Sequence, residues 1–248
     1  MGLSKAQVEF YWEHGFVALP GLFPAARMDA ARARYDQLIA EGPKEGGPTP
    51  SQEPEVAKGR AGIAPSAATV RKFERLAPHE PLFLELASFA PLVEAVASLI
   101  GRPVQIWHDQ SQLKPPRVGS AKPPHQDNSY HRIEPADLTA TAWVAIDEAT
   151  LENGCMRFLP GSHKGGLVEH VPLPGQEHNL SPRDMDLSSE VVVTCKSGDV
   201  ALFHTLTLHH SLPNHTDQWR RSFICHYIHP DAASPTDHTR LPRIQMSN

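Results

Sequence analysis

The stretch Val104–Leu113, VQIWHDQSQL, decides how the second half of the chain is read. His108, Gln110 and Gln112 alternate with Asp109, Ser111 and Leu113, a period of two that marks a strand. Three side chains able to hydrogen-bond then share one face, which does not suit a face packed in a hydrocarbon core. Either that face lines a polar cavity, or the strand is an edge with a wet face. Further strand-like runs follow, separated by Pro and Gly: ATAWVAIDEA (Ala140–Ala149), CMRFLP (Cys155–Pro160), EVVVTC (Glu190–Cys195), DVALFH (Asp199–His204) and RSFICHYI (Arg221–Ile228). Their irregular spacing predicts a sandwich or a barrel. No internal repeat runs through them, and the closing TRLPRIQMSN reads as a tail.

Upstream the pattern is helical. Ser4 N-caps KAQVEFYWEHG, with Val8, Tyr11 and Trp12 on one face and Gly15 as the stop. Pro24 opens a second, Ala-rich helix that ends at Gly42, and PLFLELASF and PLVEAVASLIG each open on a proline. Residues 1–102 are therefore expected to be mainly helical and 103–230 to form a β core, within one domain spanning 1–248. Residues 42–66, GPKEGGPTPSQEPEVAKGRAGIAPS, carry too few large apolar groups to fold alone. They read as a disordered surface loop or as a flexible lid over a site.

A net charge of -5, a pI near 6.3 and scattered basic residues argue against a nucleic acid or an anionic membrane as the main partner. A small molecule is the better expectation. The chain has no run of eighteen apolar residues, and MGLSKAQVEFYWEHG lacks the basic-then-apolar pattern of a secretory signal. Ala6 stands where myristoylation needs Ser or Thr. A cytoplasmic protein is expected. Cys155, Cys195 and Cys225 are far apart and read as reduced core residues.

The chemistry concentrates in PPHQDNSYHR (Pro123–Arg132). On an extended strand His125 and Asp127 would point to one face and offer a cation an imidazole nitrogen and a carboxylate oxygen. A non-haem Fe(II) site of the facial-triad kind needs a second histidine from a distant strand. His204, His209, His210 and His215 all compete for that place, and spacing alone does not choose among them. LPGSHKGG (Leu159–Gly166) reads as a tight turn in which Gly161 takes positive φ and Ser162 bonds locally.

Taken in order, KPP from Lys114, HQDNSY, the strand carrying Trp143, ENGCMRFLPGSHKGG, SGDVALFH, and HHSLPN followed by Arg220 resemble the phytanoyl-CoA dioxygenase family of Fe(II)/2-oxoglutarate oxygenases. The likeness runs from about Gln7 to Tyr227. It implies a mainly β fold with flanking α-helices: a double-stranded β-helix (jelly-roll, cupin-like) core with the N-terminal helices packed on one sheet. It also implies Fe(II), 2-oxoglutarate and O2. The family's distal histidine has Ser, Asn and Arg at set distances after it, and His209 meets all three with Ser211, Asn214 and Arg220; His210 ranks second. The implied metal ligands are His125, Asp127 and His209. Arg220 and Ser211 would grip the far carboxylate of 2-oxoglutarate, for which a guanidinium provides a rigid two-pronged cation. Trp143 would pack beside the cosubstrate, and Lys72, Gln110 and Gln112 would approach it. Asn128, Tyr130, Arg132, His108 and His163 are the candidates for touching substrate.

A complete triad implies hydroxylation of an unactivated C–H, with release of succinate and CO2, rather than halogenation. No concentrated Lys/Arg cluster in the sequence marks a CoA entrance, so a small or medium polar metabolite is expected. Two other classes compete. A cupin-like metalloenzyme without 2-oxoglutarate would keep His125, Asp127 and His209 but have no use for Arg220, and a non-catalytic jelly-roll binding module would need none of the four.

Overall fold

A computed structural model describes residues 2–59, 62–174, 176–183, 185–235 and 244–245. Most of the expected tail, residues 239–243 and 246–248, lies outside them. The helices are α1 (Lys5–His14), α2 (Ala25–Glu41), α3 (Pro54–Ala57), α4 (Pro81–Ala87), α5 (Ala90–Ile100) and α6 (Asn128–His131). The strands are β1 (Phe16–Leu19), β2 (Thr49–Gln52), β3 (Val70–Glu74), β4 (Gln105–Lys114), β5 (Lys122–His125), β6 (Thr139–Ala145) and β7 (Met156–Phe158). They continue as β8 (Val171–Leu173), β9 (Gln176–Ser181), β10 (Val191–Val193), β11 (Val200–Phe203), β12 (His209–Ser211), β13 (Arg220–Ile228) and β14 (Ile244–Gln245).

The large sheet runs β1-β11-β6-β13-β4-β3-β2, with β14 also on β4; the small sheet runs β10-β7-β12-β5. These two sheets form the jelly-roll of a cupin-like fold, mainly β with flanking helices. All pairings within them are antiparallel.

Both faces of the large sheet are covered, and the alternation along β13 shows why. Phe223, Cys225 and Tyr227 join the core shared with Tyr11, Met28, Tyr35, Phe83, Leu86 and Val96 from the N-terminal helices. Arg220 and Ile224, on the other face of β13, line the space between the sheets. Along β6 the same rule sends Ala142 and Val144 to the helices and Trp143 and Ala145 inward to pack with Phe16, Phe158 and Phe203. Full burial of one such aromatic stabilises by roughly 1.5–3 kcal/mol, so the helical layer is part of the sheet's stability.

The helix caps follow the sequence closely. Ser4 and Gln7 close a capping box on α1, and Gly15 ends it at φ 84°. Pro24 sits at the N-cap of α2, one place before the first helical residue. The first hundred residues also hold more β-structure than their composition suggests. FVAL pairs with β11, and VRKFE, flanked by TPSQ, extends the sheet beyond β4.

Residues 42–66 accordingly include the edge strand β2 and the short helix α3, rather than a featureless connector. The segment has few large apolar groups, but the buried Val56 and Glu53 anchor it, Glu53 accepting from Arg71 Nη1 at 2.9 Å and Ser120 Oγ at 2.6 Å. Among the described residues no single helix is long and apolar enough to cross a membrane.

Candidate active site

A cavity of about 660 Å³ opens between the two sheets. His108, Gln110 and Gln112 of β4 all line it, and β4 lies inside the sheet between β13 and β3, so the polar face of VQIWHDQSQL belongs to a cavity wall. The opposite face is also satisfied. Asp109 Oδ1 accepts from the amides of Leu76 and Ala77, at 2.6 and 3.0 Å, and Ser111 Oγ accepts from Phe73 N at 2.8 Å.

His125, Asp127 and His209 converge on the cavity, all buried, each with one ligand-type atom within 4.8 Å of the others. The β5–β12 pairing sets His125 directly opposite His209, with ring centroids 4.2 Å apart. Asp127 arrives by a different route from the one its spacing suggested. β5 ends at His125, and Asp127 has helical dihedrals (φ -56°, ψ -36°) at the start of α6. The backbone turns at Gln126, whose buried amide donates to Gly166 O and Leu206 O while its Oε1 accepts from Val168 N. The turn brings Asp127 Oδ1 to 3.6 Å from Nε2 of both imidazoles.

The protonation pattern suits a metal. Nδ1 of His125 donates to Pro123 O and Nδ1 of His209 to Thr207 O, each at 2.9 Å. Both rings therefore turn an unprotonated Nε2 toward Asp127, the tautomer a metal ligand needs. Burial, and then the neighbouring His209, push His125 down to about 3, and burial also lowers His209. Burial alone would raise the Asp127 carboxyl; the neighbouring His209 and His125 outweigh it and hold Asp127 well below the usual carboxylate range. Two neutral imidazoles and one carboxylate form a donor set that fits Fe(II).

The other histidine candidates have other employment. His204 Nε2 bonds Asp137 Oδ1 at 3.1 Å and its Nδ1 accepts from Leu206 N. His210 Nε2 bonds Glu190 Oε2 at 2.5 Å, and His215 is exposed.

Arg220 is 2 % exposed, its Nε has no partner, and among the described residues its side chain bonds only Ser222 Oγ, at 3.1 Å. Among the described residues no carboxylate pairs with it, a costly state that a bound anion would relieve. Burial, and then the nearby Arg71, lower it to about 10, so it stays cationic at neutral pH. Trp143 lies under the guanidinium, 5.4 Å from ring centroid to Cζ, and Ser211 lines the same cavity. This arrangement fits a dicarboxylate cosubstrate: an unpaired cation and a hydroxyl facing the cavity that the metal donors share.

Of the remaining candidates, Lys72 lines the cavity and pairs with Glu74 at 2.6 Å; Tyr130 also lines it. Asn128, Arg132 and His163 do not. The Asn128 amide exchanges two hydrogen bonds with the Ile133 backbone, bracing the turn in which Arg132 takes φ 53°. His163 bonds Trp12 O at 3.0 Å, and its Nδ1 is buried without a partner. Asn214 clamps the KPP turn by donating to Lys114 O and Gln218 O while accepting from Thr216 N. Sequence reading passed over Thr141 and His226, which flank Asp127. Thr141 shares a face of β6 with Trp143, and His226 a face of β13 with Ile224, but only the β6–β13 pairing, which sets Thr141 opposite His226, shows their place beside Asp127. It also passed over Lys58, Arg71 and Lys122, which come from separate segments and all line the cavity.

A family model described as phytanoyl-CoA dioxygenase (PhyH) matches residues 11–222. The peroxisomal phytanoyl-CoA dioxygenase of Rattus norvegicus is 32% identical over 235 residues, covering 91% of this chain and 68% of its own length. A probable phytanoyl-CoA dioxygenase of Caenorhabditis elegans is 29% identical over 241 residues, covering 92% of this chain and 76% of that protein. Among solved structures, the non-heme monooxygenase ThoJ superposes with a TM-score of 0.74 at 23% identity, covering 98% of this chain and 84% of that one. The alpha-ketoglutarate-dependent carbocyclase SnoK superposes at 0.71, also at 23% identity, covering 99% and 94%. The chain belongs to the phytanoyl-CoA dioxygenase family. It is an Fe(II)- and 2-oxoglutarate-dependent oxygenase that uses O2 and acts on a small molecule.

Proposed function

We propose that the protein hydroxylates an unactivated C–H of a small or medium polar metabolite, with release of succinate and CO2. The observation that carries this reading is one cavity holding both a buried His–Asp–His donor set and a buried arginine with no carboxylate partner among the described residues. In it His125, Asp127 and His209 hold Fe(II) through Nε2, a carboxylate oxygen and Nε2. Arg220 and Ser211 take the far carboxylate of 2-oxoglutarate, and Trp143 packs against it. Bound iron with 2-oxoglutarate and O2 supplies the oxidant that removes hydrogen from carbon and delivers hydroxyl.

The chain's own contribution is placement and exclusion of water. Locked imidazoles keep Nε2 aimed at the metal, and the covered sheet shields the cavity. Asp127 favours hydroxylation over halogenation because its carboxylate occupies the position a halide would need. A metalloenzyme without 2-oxoglutarate would leave Arg220 buried and charged for no return.

Lys58, Arg71, Lys72 and Lys122 on the cavity wall favour a substrate that carries a carboxylate or phosphate. Tyr130 and His108 line the same cavity as the candidates for touching substrate, with Lys72 and Gln112 toward the cosubstrate. We read residues 1–248 as one oxygenase domain. The three buried free cysteines fit a cytoplasmic setting, and the absence of a basic stripe fits a protein that engages neither nucleic acid nor membrane.

The test is a succinate-release screen over metabolites paired as acid and amide, with product mass read in parallel. The reading expects acids to stimulate succinate release and a product heavier by one oxygen. Stimulation confined to the amides, or a coupled product with no added oxygen, would contradict it.

A further inference from the structure

Beside the donor set, the buried polar groups fix one direction of hydrogen bonding. Asp127 Oδ1 faces both imidazoles at 3.6 Å, while Oδ2 lies 2.9 Å from Thr141 Oγ1. An ionised carboxylate can only accept, so Thr141 gives its single proton to Asp127. Thr141 Oγ1 is also 3.0 Å from His226 Nδ1 and must therefore accept there, which makes His226 the Nδ1–H tautomer. Its Nε2 is then an acceptor, and Gln110 Nε2 stands 3.4 Å away as the donor. The chain runs Gln110 to His226 to Thr141 to Asp127. Thr141 and His226 are buried, and Gln110 forms part of the cavity wall.

We propose that Thr141 and His226 are positioning residues that hold Asp127 Oδ2 away from the metal, so that Asp127 binds through Oδ1 alone. Gln110 sets the tautomer of His226 instead of contacting the cosubstrate. Coordination arithmetic gives the device its purpose. Two imidazoles, one carboxylate oxygen and a two-pronged cosubstrate leave an octahedral ion one open position, and a second carboxylate oxygen would close it. The inference rests on the reading of His125, Asp127 and His209 as the metal ligands.

The test is anaerobic titration of the full-length protein with Co(II) alone, following visible absorption, with thermal unfolding to check each fold. Thr141→Val should weaken Co(II) binding by about 10-fold or more and change the band shape, and Thr141→Ser should restore both. His226→Asn, whose amide stands where Nδ1 stood, should stay within about 3-fold of wild type, while His226→Gln should fall with Thr141→Val. This second pair decides the matter if Thr141→Val does not fold. Gln110→Leu should weaken Co(II) binding in the absence of 2-oxoglutarate.

Wild-type affinity and band shape in folded Thr141→Val, or in folded His226→Gln, would overturn the positioning role. An effect of Gln110→Leu on 2-oxoglutarate affinity alone would overturn its place in the chain. Asp127→Ala separates the two levels. Unchanged Co(II) binding there would remove the metal-ligand reading itself, whereas its loss alongside a silent Thr141→Val would remove only this inference.

Discussion

At the scale of single residues, Arg220 bears the clearest mark of function, because it is a cost without a visible return. A guanidinium 2 % exposed, with Nε unpartnered and Trp143 beneath it, is a poor contributor to stability. Arg220→Met should therefore leave the melting temperature of the metal-free protein unchanged or higher, while weakening 2-oxoglutarate binding by about 30-fold or more, the order expected for a lost buried charge pair. Calorimetry with and without 2-oxoglutarate checks both halves; a lower melting temperature with unchanged affinity would make Arg220 structural. Arg220 was legible because its register after His209 matched a known pattern. Thr141 and His226 were not, since a threonine among alanines and one histidine of fifteen carry no local signal until strand pairing brings them to Asp127.

At the scale of elements, the strands easiest to read were the apolar ones, and the strands that matter most for chemistry were the hardest. β6, β11 and β13 stand out by β-branched and aromatic content, whereas β5 is KPPH and β12 is HHS, too short and polar for propensity to register. The convergence of His125 and Asp127 was anticipated with the wrong geometry, because a backbone turn at Gln126 overrides strand alternation. Gly15 shows the opposite case, a local signal with a further tertiary reason. Its φ of 84° suits glycine, and a Cβ there would lie 2.3 Å from Thr207 Oγ1 and 2.6 Å from His163 Nδ1. Gly21, at φ 62°, faces open space. Urea unfolding should show Gly21→Ala costing about 1 kcal/mol from the backbone alone and Gly15→Ala costing at least about 2 kcal/mol. Equal costs would mean that the close approach at Gly15 relaxes freely.

At the scale of the whole molecule, the division into a helical front and a β-rich back was readable from periodicity, but the helical half also supplies β1, β2 and β3 to the large sheet. What no local reading could reach is the meeting of distant segments, as when Lys58, Arg71 and Lys122 come to line one cavity. Burying so many histidines also has a global consequence for stability against pH. Burial, and for His108 the neighbouring His131, pushes His108, His131 and His204 down to about 4 each. Between about pH 6.5 and 4 the unfolded chain binds protons that the folded chain refuses, so stability is full above about 6.5 and falls as pH drops. Each group adds up to about 1.4 kcal/mol per pH unit, less where the cavity admits water. The melting temperature of the metal-free protein should fall steadily from pH 7 to pH 5, and a flat profile would mean that these rings are solvated. The central claim remains that one cavity holds Fe(II) on His125, Asp127 and His209 and 2-oxoglutarate on Arg220. Its most direct test is the visible absorption of the anaerobic protein with Fe(II) and 2-oxoglutarate. A weak charge-transfer band should appear, disappear in Asp127→Ala and diminish in Arg220→Ala; iron-loaded wild type without the band, or Asp127→Ala with the band intact, would contradict the account.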